Sequence, residues 1–169
     1  MKNAIQLNIV GAKNSGKTHV AESLIRDLTA NGLKVGSVKH TSHDHDFDLE
    51  GTDSWRHHHA GTVATFISSP QKLICHTREL SDLKQQALME AAFSDCDFII
   101  WEGDQATENP IIECLWSGIS PRNDGDARVI AFITDNPLDN GVKCFKFDEA
   151  TKLCEFVMTR FAQNNKNWT

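Results

Sequence analysis

The chain has 169 residues, of which 40% are hydrophobic, and it carries a formal net charge of −6. This length suffices for one domain with a hydrophobic core, spanning 1–169, and leaves little room for two. Because general binders of a phosphate backbone are normally basic, we expect no nucleic-acid partner. We also expect no membrane partner, because no apolar run approaches the roughly 18 residues of a transmembrane helix.

The five cysteines are odd in number and widely spaced, and none forms a Cys-x-x-Cys pair. This pattern is typical of reduced, mostly buried thiols and not of a disulfide framework or a zinc site. The N-terminal apolar stretch leads directly into a glycine-rich loop, so we interpret it as a buried strand and not as a signal peptide. These features predict a cytoplasmic protein.

Apolar periodicity predicts alternating strands and helices along the chain. Strands are predicted at 4–10, 34–39, 96–103, 111–116 and 128–134, helices at 17–31, 81–93 and 148–161, and a two-strand hairpin from 62–67 and 72–77. The first strand–helix–strand unit has short links, which implies a right-handed parallel connection. The pattern predicts a three-layer α/β fold with a mostly parallel sheet and a β-hairpin extension. The tail 161–169 is predicted to be frayed.

The segment GAKNSGKT, 11–18, matches the pattern G-x-x-x-x-G-K-[ST] between a predicted strand and a predicted helix. Gly11 and Gly16 let the backbone turn so that successive N–H groups face a phosphate. Lys17 would place its charge on phosphate oxygens, and the Thr18 hydroxyl would bind Mg²⁺. The motif therefore predicts a nucleoside triphosphate site in a P-loop NTPase fold. The predicted phosphate-binding residues are Gly11, Asn14, Ser15, Gly16, Lys17, Thr18 and His19.

A P-loop needs a second acid for its magnesium ion, usually at the end of a neighbouring strand. Glu102 ends the apolar run FIIW, whereas Asp97 lies at the opposite end of the same strand. Since ligands gather at the carboxyl ends of parallel strands, Glu102 is the better candidate. The alternative is that Glu102 only terminates the strand.

Six of the eight histidines lie within 39–59, together with five carboxylates. This segment follows the second predicted strand, so residues from His40 onward should emerge beside the phosphates. Segments in that place sense the γ-phosphate and Mg²⁺ in P-loop proteins. A transition-metal site is the alternative. His43 and His45 could face the same way, but the consecutive histidines 57–59 would point about 100° apart on a helix and could not chelate one ion.

The segments GAKNSGKT, GSVKHTSHDHDFDLEGTDSWRHHHAG, DFIIWEG and VIAFITDNPL follow one another in this order. Together they closely resemble the molybdopterin-guanine dinucleotide biosynthesis protein B family of P-loop GTP-binding proteins. The resemblance spans roughly 5–161. Its most specific part is the pattern K-H-T-x-H-D-x-D followed by G-x-D-S and A-G.

This resemblance implies roles for residues outside the P-loop. Asp53 would join Thr18 and Glu102 near the magnesium ion. The positions that match the rest of the family's pocket lining are Lys39, His40 and Asp46.

The resemblance also implies a function. Family members bind GTP and Mg²⁺, are homodimers with a shared sheet, and hydrolyse GTP weakly at most. They act beside a molybdopterin nucleotidyltransferase that joins GMP to molybdopterin. The catalytic residues stay unknown, and whether molybdopterin itself contacts this chain stays open.

Two departures from the family bear on the pterin contacts and not on the nucleotide site. The acidic strand continues as EGDQ, with Asp104 and Gln105, where the family commonly has an aromatic residue and then Lys. The histidines 57–59 stand where the family more often carries Lys or Arg. A basic group for an anionic pterin is therefore missing at 104–105.

The identity of the base rests on the resemblance, because an N-K-x-D motif is absent. Asp135, after a predicted strand, could accept from the N1–H and N2–H₂ groups of guanine, or it could cap a turn. Arg122 could act as an arginine finger across a dimer or be solvated. The tryptophans Trp55, Trp101 and Trp116 are predicted to pack in the core or in a dimer.

Two alternatives to this function remain. The chain could be a metallochaperone GTPase that uses its histidine-rich segment, or a P-loop kinase that phosphorylates a small molecule. The kinase needs a mobile, arginine-rich lid, and the loop near Pro121 is too short for one.

Overall fold

The structure is a computed structural model that describes residues 4–41, 48–78, 81–103, 107–116 and 118–162. The strands are β1 (Ile5–Gly11), β2 (Val35–Lys39), β3 (Ala64–Ser68), β4 (Leu73–Thr77), β5 (Phe98–Glu102), β6 (Ile111–Cys114), β7 (Val129–Ile133) and β8 (Lys143–Phe145). The helices are α1 (Lys17–Ala30), α2 (Asp53–His59), α3 (Asp82–Ala92) and α4 (Ala150–Phe161). Contacts divide the chain into two compact units, 1–41 with 93–169, and 42–92.

The first unit is built on a six-stranded sheet in the order β2-β5-β1-β6-β7-β8. Every pair in this sheet is parallel, and Gly11 at the end of β1 lies opposite Cys114 at the end of β6. All six carboxyl ends therefore meet at one edge, where ligands of open α/β sheets bind. The predicted α/β class with a mostly parallel sheet is confirmed.

The core of the first unit lies between the sheet and two helices. The strands β5 and β7 are buried at every residue, as expected of parallel strands covered on both faces. Leu24 and Leu28 of α1 are fully buried and pack in one cluster with Leu153 and Val157 of α4. Each such side chain contributes roughly 1.5–3 kcal/mol by its burial.

The other face of the sheet carries a second, smaller apolar cluster. Leu138 and Val142, from the segment between β7 and β8, pack against it. Asn8 is fully buried in the middle of β1, and its Nδ2 donates to Thr107 Oγ1 at 2.8 Å. The loop before β6 is thereby fixed to the central strand.

The second unit contains α2, α3 and the antiparallel hairpin of β3 and β4, which confirms the predicted hairpin. Thr52 caps α2, because its Oγ1 accepts from the Trp55 amide at 3.3 Å. Thr65 is the only buried residue in the part of this unit that the structure describes. Large apolar side chains such as Phe66 and Leu73 are instead more than half exposed.

Two elements, β8 and α2, lie outside the sequence-based predictions. Phe161 ends α4 and is only 9% exposed in the core, so the frayed tail cannot begin there, and 163–169 lie outside the described residues. That residues 1–169 form a single domain stays a prediction. The described helices are all too short or too polar to cross a bilayer.

Candidate nucleotide-binding site

The loop between β1 and α1 needs glycine at both ends. Gly11 has φ +146° and Gly16 has φ +82°, and Asn14 between them has φ +63°. A Cβ on Gly11 would collide with the Cys114 carbonyl, and one on Gly16 would lie 2.7 Å from Phe147 Cε1. These positions admit no side chain, so the loop stays tight and its backbone remains accessible.

The start of α1 carries the features of an anion site. Gly16 is the N-cap residue and provides no side-chain cap, so the amides of the first turn keep their donor capacity. Lys17 Nζ lies over the loop and donates to the carbonyls of Gly11 at 3.0 Å and Ala12 at 2.6 Å. Ser15 Oγ is buried without a hydrogen-bond partner among the described residues. A buried hydroxyl without a partner is costly, and a phosphate oxygen would supply one.

Three side chains meet at the carboxyl end of β5. Thr18 Oγ1 donates to Glu102 Oε1 at 2.7 Å. Lys39 Nζ, at the end of the edge strand β2, forms a short ion pair with the same oxygen. A pocket of about 390 Å³ opens beside these three residues and is lined on its other side by α1.

The Glu102 carboxyl is held in its charged form. Burial raises its pKa. Hydrogen bonds from Lys39 and Thr18 and the charges of Lys39 and Lys17 together lower the pKa by more than burial raises it, so the pKa lies below its usual range. Glu102 is therefore a carboxylate at neutral pH. An ionised oxygen ligand is what Mg²⁺ prefers.

These residues fit a magnesium ion. Thr18 Oγ1 and Glu102 Oε1 are oxygen donors of the kind that Mg²⁺ prefers, and the 2.7 Å hydrogen bond between them brings both to the end of the P-loop. Lys39 meanwhile provides Glu102 with a positive partner.

Comparison with known proteins identifies the family of this chain. Residues 6–135 match the family described as molybdopterin guanine dinucleotide synthesis protein B. The chain belongs to this family, MobB. The "molybdopterin-guanine dinucleotide biosynthesis adapter protein" of Escherichia coli K12 is 32% identical over 157 residues, covering 89% of this chain and 90% of the relative. The protein of the same name from Haemophilus influenzae is 27% identical over 162 residues, covering 93% and 90%.

Solved MobB structures have the same fold. One molybdopterin-guanine biosynthesis protein B matches with a TM-score of 0.71 and 26% identity, covering 94% of this chain and 99% of that protein. MobB of Bacillus subtilis matches with a TM-score of 0.70 and 25% identity, covering 92% and 97%. The resemblance and the fold class inferred from the sequence are therefore confirmed. The family acts in molybdopterin guanine dinucleotide synthesis.

The sequence also predicts site residues outside the loop itself. The His40 amide donates to the Glu102 carbonyl at 2.9 Å, so the backbone beyond β2 continues along β5. His19 is exposed in the first turn of α1, and Asp135 is exposed two residues beyond β7. Asp46 lies outside the described residues, as do Asp104 and Gln105.

Asp53 belongs to the second unit and begins α2. Its side chain is 93% exposed, and its Oδ1 lies 3.9 Å from Arg56 Nη1. The role of Asp53 as a magnesium ligand stays a prediction.

Two residues near the loop were missed by the sequence analysis. Glu113 in β6 is fully buried, and its two carboxylate oxygens accept from the amides of Arg122 at 2.8 Å and Asn123 at 3.2 Å. Phe147 contacts Gly16. A charged residue inside the apolar run IIECL was the available signal for Glu113, since a buried carboxylate must be paired or hydrogen-bonded.

The cysteines are free, as predicted, but they are less buried than predicted. Cys114 and Cys154 are buried, Cys96 and Cys144 are half-buried, and Cys75 is exposed. Burial raises the pKa of the Cys114 thiol to about 12, so the cysteine beside Gly11 is protonated at neutral pH. It is therefore a packing residue and not a nucleophile.

The His59 side chain of the second unit is engaged within that unit. The His59 ring stacks on Trp55 with centroids 3.9 Å apart, and its Nδ1 lies 2.9 Å from the Trp55 carbonyl. In the part of the chain that the structure describes, no three His, Cys, Asp or Glu side chains are grouped to hold a metal ion. His43 and His45, on which the metallochaperone alternative rests, lie outside that part.

Proposed function

We propose that this chain is a cytoplasmic, Mg²⁺-dependent GTP-binding protein with weak GTPase activity at most. It would assist the attachment of GMP to molybdopterin as a partner of the nucleotidyltransferase. The observation that carries the proposal is the juxtaposition of Thr18 and Glu102, 2.7 Å apart, at the end of the loop that Lys17 covers. The residues that would hold the phosphates and the two oxygens that would bind Mg²⁺ lie next to one another there.

Two observations support GTP over ATP. The name of the family specifies a guanine dinucleotide. Asp135, two residues beyond β7 at the phosphate edge of the sheet, presents an exposed carboxylate that could accept from two N–H groups of guanine. Adenine offers no such pair of donors in that arrangement, so Asp135 would discriminate against ATP.

The partnership and the oligomeric state are supported separately. The relatives from Escherichia coli and Haemophilus influenzae are named adapter proteins, which favours action through another protein of the pathway. Exposed apolar side chains on the hairpin, Phe66, Leu73 and Ile74 among them, favour a homodimer.

Calorimetry with GTP, with and without Mg²⁺, tests the nucleotide site. Lys17→Ala should weaken binding of Mg·GTP at least about 100-fold, because it removes the charge that faces the phosphates. Lys13→Ala is the matched control, since it removes an exposed lysine from the same loop. It should change the affinity only a few-fold. Equal effects of the two variants would contradict the assignment of Lys17.

The same measurement tests the metal and the base. Glu102→Gln should remove most of the gain in affinity that Mg²⁺ gives, while Mg²⁺-free binding changes little. Asp135→Asn should reduce the difference between the affinities for GTP and for ATP. Equal affinities of the wild type for GTP and ATP would exclude the guanine assignment and leave the triphosphate site intact.

The adapter role is tested with the purified nucleotidyltransferase, molybdopterin and GTP. Addition of this chain should raise the yield of the dinucleotide, and Lys17→Ala should fail to do so. A transferase whose yield and rate do not respond to the wild-type chain would contradict the role in GMP attachment, whatever the affinity for GTP.

A further inference from the structure

Three neighbouring strands present one side chain each at the same height above the phosphate edge. Trp116, Asp135 and Phe147 lie two residues beyond the ends of β6, β7 and β8, which are consecutive in the sheet. The Leu115 amide donates to the Ile133 carbonyl at 2.9 Å, and the Thr134 amide donates to the Phe145 carbonyl at 2.8 Å. These bonds extend the strand pairing to Leu115 and Thr134, directly before Trp116 and Asp135, and the second bond holds the last residue of β8, two residues before Phe147.

Two of these side chains are joined to the P-loop by direct contacts. Phe147 packs so closely on Gly16 that an added Cβ would lie 2.7 Å from its Cε1. The Phe147 and Trp116 rings have centroids 6.4 Å apart and are tilted by 55°. Contacts therefore connect Gly16 of the P-loop, through the Phe147 ring, to the indole of Trp116.

Trp116 is not a core residue, although the sequence favours core or dimer packing for the tryptophans. It is 58% exposed, whereas Trp101 in β5 is 7% exposed. A large exposed aromatic side chain beside a ligand site is unfavourable in water and gains free energy when a flat apolar group covers it. The adjacent P-loop implies what that group is, because a nucleotide held by its phosphates must place its base nearby.

We propose that Trp116, supported by Phe147, is the stacking surface for the purine base of the nucleotide. The inference rests on the proposed nucleotide site and adds the residue that binds the base. Stacking on an aromatic face tolerates any base, because every base has a π-face. Trp116 would therefore contribute affinity for GTP and ATP alike, and Asp135 would contribute the preference between them.

The test compares Mg·GTP with Mg·tripolyphosphate, which shares the phosphates and lacks the base. Loss of an aromatic–base stack typically weakens binding roughly 5- to 150-fold. Trp116→Ala should weaken Mg·GTP and Mg·ATP by such a factor and leave Mg·tripolyphosphate unchanged. Trp116→Phe should retain most of the affinity. Ile119→Ala is the matched control, because Ile119 is a 44% exposed apolar residue of the same loop.

The outcomes distinguish a failure of this inference from a failure of the proposed nucleotide site on which it rests. If wild-type protein binds Mg·GTP and Trp116→Ala binds it equally well, the stacking surface is excluded and the nucleotide site stands. An equal loss for Mg·GTP and Mg·tripolyphosphate also overturns the inference, because Trp116 would then act through the cradle. If the wild type binds neither ligand, the nucleotide site itself is excluded. Far-ultraviolet circular dichroism confirms that each variant is folded.

Discussion

Gly16 and Gly32 have the same positive φ and differ in their surroundings. Both have φ +82°, but a Cβ at Gly16 would meet the Phe147 ring at 2.7 Å, whereas a Cβ at Gly32 would meet nothing within 4 Å. An alanine at either position pays the strain of left-handed backbone, about 1–2 kcal/mol. Only an alanine at Gly16 must also displace an aromatic ring.

We therefore expect unequal effects of the two alanine substitutions on stability. Gly32→Ala should lower the free energy of unfolding by about 1 kcal/mol, and Gly16→Ala by roughly 1–3 kcal/mol more, as for overpacking. Urea denaturation of both variants measures the difference. Phe147→Ala in the Gly16→Ala background should remove the extra loss in a double-mutant cycle. Equal losses at the two glycines would show that Phe147 does not fix the P-loop.

The Glu102 carboxylate predicts a dependence of stability on pH. Its folded pKa lies below the ordinary value of 4.5, after burial, the Lys39 and Thr18 hydrogen bonds and nearby lysines are all included. A depressed pKa stabilises the folded state above the unfolded pKa, and this stabilisation is lost as the pH falls through the folded pKa. Glu102→Gln should therefore be less stable than wild type at pH 7, with a gap that narrows below about pH 4.5.

Urea denaturation of both proteins between pH 7 and pH 3.5 measures that gap. Glu22→Gln is the control, since it removes an exposed carboxylate that pairs with Arg26 at 3.2 Å. An exposed pair of this kind contributes at most about 0.5 kcal/mol. A gap between wild type and Glu102→Gln that stays constant with pH would argue against the charge of Glu102 as its origin.

Local motifs made some site residues predictable, and others depend on distant contacts. Lys17 and Thr18 follow from one contiguous pattern, and Glu102 follows from its place at the end of an apolar strand. Phe147 was missed because its contact with Gly16 joins positions 131 residues apart and no local pattern marks it. The partnership of Lys39 with Glu102 depends on the pairing of β2 with β5, which spacing along the chain does not specify.

At the scale of elements, the loop between β6 and β7 is held by one buried carboxylate. Glu113 accepts from the amides of Arg122 and Asn123, and its side chain is inaccessible to solvent. Glu113→Ala would remove both acceptors and leave a cavity in β6. We expect a loss of about 1–3 kcal/mol in the free energy of unfolding.

Hydrogen exchange gives a more local test of the same loop. The amides of Arg122 and Asn123 should lose protection in Glu113→Ala, while amides in α4 keep theirs. Glu113→Gln retains one acceptor oxygen, so the protection of these amides should lie between that in wild type and that in Glu113→Ala. Glu155→Ala, at an exposed position on α4, controls for the loss of a negative charge. Unchanged exchange at Arg122 and Asn123 would show that another contact holds the loop.

The same scale shows why two elements escaped prediction. The strand β8 has only three residues, too few for periodicity to appear, and its pairing with β7 decides its conformation. The helix α2 has seven residues and no buried face, so it lacks the apolar stripe that marked α1. Its Thr52 cap was a local signal, since a threonine before an acidic first turn is typical of a helix start.

At the scale of the molecule, exposed apolar surface is unevenly distributed. Eight of the ten large apolar side chains that are exposed among the described residues belong to the second unit, and the other two are Trp116 and Ile119. The described part of that unit buries only Thr65, so it has no apolar core of its own. A segment of this kind is stabilised when another surface covers it.

We propose a second copy of the chain as the surface that covers the hairpin. Its two strands carry apolar side chains on both faces, with Phe66 opposite Cys75 and Ile67 opposite Ile74. Each strand has only the other as a partner within the described residues, so one edge of each can pair with the same hairpin of another chain. A symmetric contact of this type joins the same patch on both subunits.

Phe66→Asp should therefore convert the proposed homodimer into a monomer, because a charge from each copy would be buried in the proposed interface without a partner. Light scattering coupled to size-exclusion chromatography measures the mass over a range of protein concentrations. Leu83→Asp is the matched control, since Leu83 is 80% exposed on α3 and the same charge is introduced away from the hairpin. A monomeric wild type, or a Phe66→Asp variant that keeps the dimer mass, would rule out pairing through the hairpin. Because Phe66 is 56% exposed, the variant should fold and keep its affinity for Mg·GTP, which separates loss of assembly from loss of structure.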